Sequence, residues 1–109
     1  MDIVTFETAK KLHTAGFTQP EARYYQAWYD ENGILGIVIT GEDYHYFAGV
    51  VFAPTATDIL RELGDGYFLM LDGCFEVDQM SEQYGTSPAI SRHENPAEAA
   101  ALAYLKLKE

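Results

Sequence analysis

Residues 52–78, FAPTATDILRELGDGYFLMLDGCFEVD, decide the fold of this chain. They contain the pattern of a helix followed by the pattern of a β-hairpin. Thr55 and Asp58 have the spacing of a capping box, which satisfies free backbone donors at a helix start. Apolar residues then recur at helical spacing until Gly64. The Asp-Gly pair at 72–73 is a strong hairpin signal, so we predict two antiparallel strands after the helix.

The sequence on either side of this stretch adds two helices and three strands. Asn95 followed by Pro96 marks the start of the last helix, and Thr5 is the predicted N-cap of the first. Both faces of the strand at 34–40 are apolar, so we expect this strand at the centre of the sheet. The predicted helices cover residues 5–15, 55–63 and 95 onward, the predicted strands cover residues 23–29, 34–40, 44–52, 67–71 and 74–79, and residues 89–93 could add a short edge strand.

This order of elements, α-β-β-β-α-β-β-α, predicts a single α+β domain over residues 1–109. We expect a largely antiparallel sheet of about five strands, with three helices packed mainly on one face. The aromatic residues of the first and third strands exceed what three short helices can cover. An exposed aromatic patch or a homodimer contact on the other face follows from this arrangement.

Composition sets the class of protein. Hydrophobic residues make up 48% of the 109 residues, which is too apolar for intrinsic disorder despite a formal net charge of -10. No apolar run reaches about 18 residues, the length that indicates a membrane span, and the sequence starts with an acidic rather than a basic segment. We therefore expect a cytoplasmic protein with no membrane partner.

The negative charge is concentrated in the middle of the chain. Residues 24–91 contain eleven acidic residues and one basic residue, which accounts for the whole net charge. Phosphate backbones would repel such a region, so the sequence disfavours direct nucleic-acid binding. The charge can serve solubility alone. It can also serve to dock a basic protein partner or to imitate nucleic acid.

Residues that could carry chemistry do not form a recognised motif. Cys74 lies among acidic residues, which would raise rather than lower a thiol pKa, so we do not expect a nucleophile there. The three histidines His13, His45 and His93 show no HxH or HxxxH spacing, so no metal site is predicted. The glycines form no phosphate-binding loop. We therefore predict no cofactor.

The best candidate for a binding surface is the aromatic cluster on the first and third strands. Strand alternation places half of these side chains in the core. The other half supplies tyrosine and tryptophan, the residue types that dominate interface energetics. Acidic pairs in a turn and on a predicted solvated strand face accompany them. The candidate partner-binding residues are Tyr24, Trp28, Tyr44, Tyr46, Glu42, Asp43, Glu76 and Asp78.

Three sequence pieces carry a resemblance. They are AKKL with AGF at 9–12 and 15–17, APT with DIL at 53–55 and 58–60, and NPAEAA at 95–100. With these pieces the chain resembles a group of small uncharacterised proteins of gut bacteria and of their phages or mobile elements. The resemblance implies a shared fold and a phage or mobile-element accessory role, and it brings no activity with it.

These observations lead to three hypotheses. The first is a non-enzymatic, acidic interaction module that binds a basic protein, with a homodimer as a further expectation. A narrower form of it is a nucleic-acid mimic that inhibits a basic enzyme. The alternative from another class is a small hydrolase or ligand-binding enzyme that uses His45 or His93 beside a carboxylate, in a cleft lined by residues 81–94.

Overall fold

The computed structural model of the chain describes residues 3–18, 26–38, 51–64, 66–79 and 89–108. Within these residues the chain forms a compact α+β domain with three helices and two three-stranded antiparallel sheets. The elements are α1 (Phe6–Thr14), β1 (Gln26–Tyr29), β2 (Leu35–Val38), β3 (Val51–Phe52), α2 (Ala56–Leu63), β4 (Tyr67–Asp72), β5 (Cys74–Gln79), β6 (Ser91–His93) and α3 (Pro96–Leu107).

All three helices begin where the sequence predicts. The hydroxyl of Thr5 caps α1. At the start of α2 the backbone N–H of Asp58 donates to Thr55 Oγ1 at 3.3 Å, and Thr55 N–H donates to Asp58 Oδ2 at 2.9 Å, which completes the predicted capping box. Asn95 Oδ1 accepts from Ala97 N–H at 2.8 Å at the start of α3. These local hydrogen bonds satisfy the backbone donors that a helix start leaves free.

The prediction of one five-stranded sheet is corrected to two sheets, ordered β2-β1-β3 and β4-β5-β6. The short strand expected at 89–93 forms β6 and pairs with β5, so the second hairpin builds its own sheet. Strand β3 pairs with β1 and belongs to the first sheet. The helix α2 lies between β3 and β4 in the chain and packs against α3, and α3 also packs against β5 and β6. Among the described elements, α3 packs on the second sheet and α1 packs on β3 of the first.

Strand β1, rather than β2, is central among the described strands of the first sheet. Trp28 in β1 pairs with Gly36 of β2 on one side and with Phe52 of β3 on the other. The rings of Trp28 and Phe52 pack with their centroids 5.4 Å apart, which holds β3 against β1. Leu35 of β2 is 47% exposed. The apolar character of β2 on both faces therefore does not reflect a central position.

The helix α3 lies at the centre of the core. Its alanines are fully buried, and Tyr104 is 2% exposed. A helix that is apolar around its whole circumference is one that is packed on several sides. Small side chains let neighbouring backbones approach closely, and α3 packs against α1, α2, β5 and β6. The buried alanines are Ala97, Ala99, Ala100, Ala101 and Ala103.

The first hairpin connects β1 to β2 through a short loop. Asp30 N–H donates to Ile34 O, so the loop contains the three residues 31–33. Gly33 adopts a φ of 80°, and a Cβ at this position would lie 2.8 Å from the ring of Phe6. A three-residue hairpin loop needs a left-handed residue, which glycine provides without strain. The close ring contact ties this hairpin to α1.

Candidate functional site on the second sheet

The second sheet has one face covered by α3. Val77 is fully buried on that face, and the hydroxyl of Ser91 in β6 donates to the carbonyl of Ala99 in α3. Leu69 pairs with Val77 and shares the covered side. Alternation along each strand places the neighbouring residues on the opposite side. This opposite side is called the outer face, and it consists of Phe68, Met70, Cys74, Glu76, Asp78 and Arg92.

The outer face has an exposed apolar edge. Phe68 is 38% exposed and Met70 is 39% exposed, and both lie on β4. They are two residues apart on the same strand, so their side chains are neighbours. Single exposed hydrophobic residues are common on protein surfaces, whereas adjacent ones form a patch that favours contact with another molecule.

The carboxylates of β5 are less exposed than the predicted solvated face requires. Glu76 lies opposite Arg92, and their side chains form an ion pair of 2.8 Å in which the Glu76 side chain is 13% exposed. Asp78 lies opposite Phe68 and is 8% exposed. The alternation of Glu76 and Asp78 with the buried Val77 is as predicted, but the prediction that these two carboxylates are solvated is wrong. Side chains of the flanking strands lie beside both carboxylates.

The described members of the predicted partner-binding set belong to different sheets. Trp28 lies in the first sheet and is 6% exposed, because its indole packs in the core against Phe52. It is therefore a core residue and does not contribute to a surface. Glu76 and Asp78 lie on the outer face of the second sheet. The other five predicted residues, Tyr24, Glu42, Asp43, Tyr44 and Tyr46, lie outside the described residues.

The residues of the hydrolase hypothesis are described only in part. His93 is exposed at the end of β6, and its Nδ1 accepts a hydrogen bond of 2.9 Å from Asn95 N–H. His45 and most of the 81–94 segment lie outside the described residues. Cys74 is a free, half-buried thiol on the outer face. In the described part of the chain, no three His, Cys, Asp or Glu side chains are grouped so that they could hold a metal.

A buried carboxylate joins α3 to α1. Glu98 is 7% exposed. Its Oε1 accepts from Thr5 N–H at 2.8 Å and its Oε2 accepts from Thr8 Oγ1 at 2.7 Å. The N-terminus of a helix has free N–H groups and a positive partial charge, so a carboxylate there is stabilising. Each carboxylate oxygen has a partner, which gives Glu98 a structural role.

Two further hydrogen bonds hold the segment before α1. Asn95 Nδ2 donates to Ile3 O at 3.2 Å, and the hydroxyl of Tyr29 donates to Val4 O at 2.6 Å. Burial raises the pKa of Tyr29, and the negative charge of Glu98 raises this pKa further. The sequence places Asn95 and Glu98 at the start of α3, but no local signal identifies their partners about 90 residues earlier in the chain, since side-chain capping patterns are local.

No family model, no curated protein and no solved structure matches this chain. In the described ranges, no helix has the length and apolar character needed to cross a membrane.

Proposed function

We propose that this protein is a non-enzymatic, acidic interaction module that binds a basic protein partner through the outer face of the second sheet. The observation that carries the proposal is the adjacent pair Phe68 and Met70, each nearly two-fifths exposed, on a chain with a net charge of -10. Apolar and aromatic side chains supply most of the energy of an interface. The surrounding charge accelerates the approach of a partner with the opposite charge.

The scaffold of the outer face supports this role. Phe68 and Met70 pair with Asp78 and Glu76 on β5, and the ion pair of Glu76 with Arg92 links β5 to β6. The opposite side of the sheet packs on α3. A surface on paired strands with a covered back keeps its shape when a partner binds, so less conformational entropy is lost.

The outer face fits a protein partner better than imitation of nucleic acid. A mimic needs exposed carboxylates spaced like phosphates, whereas Asp78 is 8% exposed and Glu76 is ion-paired within the chain. A cytoplasmic location and an accessory role in a phage or mobile element complete the proposal, and the latter rests on the sequence resemblance alone. The hydrolase alternative stays a prediction.

A binding experiment with matched variants tests the proposal. The chain is immobilised and exposed to a panel of purified basic proteins at low and at high salt. The double variant Phe68→Ser/Met70→Ser removes the apolar pair, and Leu102→Ser is the control because Leu102 is 38% exposed on α3. We expect the wild type and the control to bind and the double variant to lose binding. Equal binding by the wild type and both variants would contradict the outer face as the interface.

A further inference from the structure

The edge of β4 that no other described strand pairs with carries an inference beyond the proposed function. Strand β4 is the outermost described strand of the second sheet, and among the described strands it pairs with β5 alone. Residues 67–71, YFLML, contain no charge and no proline. Edge strands are usually protected by charged residues, proline or a bulge, because their unpaired backbone is a template for another strand. The edge of β4 lacks a charge or a proline at residues 67–71.

The direction of the backbone groups on β4 follows from β5 and β6. The N–H of Ile90 donates to Val77 O at 2.8 Å, so the carbonyl of Val77 points toward β6. In an antiparallel sheet each residue directs its N–H and C=O to the same neighbour, and successive residues alternate. Leu69 lies opposite Val77, so its N–H and C=O point away from β5. Those of Tyr67 and Leu71 point the same way by alternation.

We propose that this edge pairs with β4 of a second copy of the chain, antiparallel about a two-fold axis at Leu69. In this register Leu69 exchanges both backbone hydrogen bonds with Leu69 of the second copy, and Tyr67 does so with Leu71 of the second copy. Phe68 lies beside Met70 of the second copy on the outer face. Leu71, which is 69% exposed in the single chain, becomes covered by Tyr67 of the second copy.

The uncharged composition of residues 67–71 favours a second copy over a basic strand as the occupant. Two chains of net charge -10 repel each other over most of their surface. The uncharged residues 67–71 place no like charges opposite each other, and they offer no carboxylate that would attract lysine or arginine. The two paired β4 strands, here called the seam, bury less surface than the roughly 1,200 to 2,000 Å² of a stable interface. The dimer is therefore weak and depends on concentration.

Ionic strength distinguishes self-association of the chain from its binding to a basic protein. Screening reduces the repulsion between two acidic copies, so self-association strengthens as ionic strength rises. Screening also reduces the attraction between the acidic chain and a basic protein, so that binding weakens. The opposite responses to salt therefore make failure of the dimer distinguishable from failure of partner binding.

Analytical ultracentrifugation of the full chain tests the dimer. Leu71→Pro removes an outward N–H of the seam and leaves the hydrogen bonds to β5, while the control Leu71→Ala removes the side chain and keeps that N–H. We expect a wild-type monomer–dimer equilibrium that shifts toward dimer at high salt, and a dissociation constant at least about tenfold weaker for Leu71→Pro than for Leu71→Ala. A wild type that stays monomeric at high salt and high concentration would overturn the proposal. Equal dimerisation of the two variants would also overturn it.

Amide hydrogen exchange of the wild type tests the same register without any substitution. In the dimer the N–H groups of Leu69 and Leu71 become hydrogen-bonded, so their protection increases with protein concentration. The N–H groups of Phe68 and Met70 already point to β5 and keep their protection. Concentration-independent exchange at Leu69 and Leu71 would overturn the seam, even if the chain dimerises elsewhere.

Discussion

The carboxylate of Glu98 connects two residues of α1's first turn to a helix that begins about 90 residues later. It accepts from the backbone of Thr5 and from the hydroxyl of Thr8, both within 2.8 Å. Hydrogen bonds to charged groups contribute about 1.5 to 3 kcal/mol, more than neutral ones. This residue therefore contributes to stability through both a hydrogen-bond network and the charge at the helix N-terminus.

Replacing Glu98 with glutamine tests this contribution. The amide keeps one acceptor oxygen and loses the charge, so we expect Glu98→Gln to lower the free energy of unfolding by about 1 to 3 kcal/mol. Glu94→Gln makes the same chemical change at an exposed position before α3 and should stay within about 0.5 kcal/mol of the wild type. Urea denaturation followed by circular dichroism measures both values. Equal effects of the two substitutions would contradict the role of Glu98.

Tyr104 gives the stability of the chain a dependence on alkaline pH. Burial raises the pKa of Tyr104 above its ordinary value of 10.0, and the charge of Glu62 and its hydrogen bond raise this pKa further. The unfolded chain therefore releases this proton at a lower pH than the folded chain does. The stabilisation from the protonated hydroxyl is fully present below pH 10.0 and is lost as the pH rises toward the folded pKa.

The variant Tyr104→Phe removes this titrating group. We expect the loss of stability between about pH 9 and pH 11 to be smaller in Tyr104→Phe than in the wild type. Adding Tyr29→Phe should reduce it again, because burial and Glu98 raise the pKa of Tyr29 in the same direction. Thermal unfolding at several pH values measures the slope. An unchanged slope in both variants would rule out this origin of the pH dependence.

At the scale of single elements, the sequence predicts those features that depend on neighbouring residues. Thr55 with Asp58 and Asn95 with Pro96 mark the helix starts, because capping is decided within one helical turn. The strand β5 has its predicted bounds, since Gly73 reverses the chain directly before it. The choice of strand neighbours depends on side-chain packing across the molecule, so the central position of β1 and the division into two sheets could not be predicted.

The candidate site shows the same limit. The alternation along 74–79 predicts that Glu76 and Asp78 share a face, and they do. It does not predict that Arg92 pairs with Glu76, because β6 comes from a different part of the chain. The exposed pair Phe68 and Met70 was not predicted either. All residues of YFLML are apolar, so the sequence does not show which side is covered.

Two glycines in hairpin loops allow the energetic cost of backbone strain to be distinguished from the cost of a steric clash. Gly33 and Gly73 have φ values of 80° and 74°, so alanine at either position is strained by about 1 to 2 kcal/mol. Only Gly33 also faces a neighbour, since its Cβ would lie 2.8 Å from the ring of Phe6, whereas a Cβ at Gly73 meets nothing within 4 Å. We expect Gly33→Ala to destabilise the chain more than Gly73→Ala in urea denaturation. Equal destabilisation would show that the Phe6 ring moves away at no cost.

At the scale of the whole molecule, the net charge of -10 acts against the compact state. In the described part of the chain, the ion pairs of Lys10 with Glu7 and of Arg92 with Glu76 offset a small part of this charge. Like charges on a folded chain repel one another, and the Debye length shortens from about 30 Å at 0.01 M to about 8 Å at 0.15 M ionic strength. The folded state should therefore gain stability as salt is added.

Thermal unfolding at increasing sodium chloride tests this expectation. We expect the midpoint temperature to rise with salt for the wild type. Glu31→Lys replaces an exposed acid in the first hairpin loop and reduces the net negative charge, so its midpoint should rise less. The measurement is made at one protein concentration, because a dimer would also raise the midpoint. A midpoint that falls with salt would show that ion pairs outweigh the repulsion.

The position of α3 also has a consequence for synthesis of the chain. This helix carries the buried alanines and Glu98, and it leaves the ribosome after every other described element. Until then α1 lacks its carboxylate, and the second sheet lacks the cover for its apolar face. At about 5 to 20 residues per second, the earlier elements wait several seconds with apolar surface uncovered. The domain can therefore complete its core only when α3 arrives.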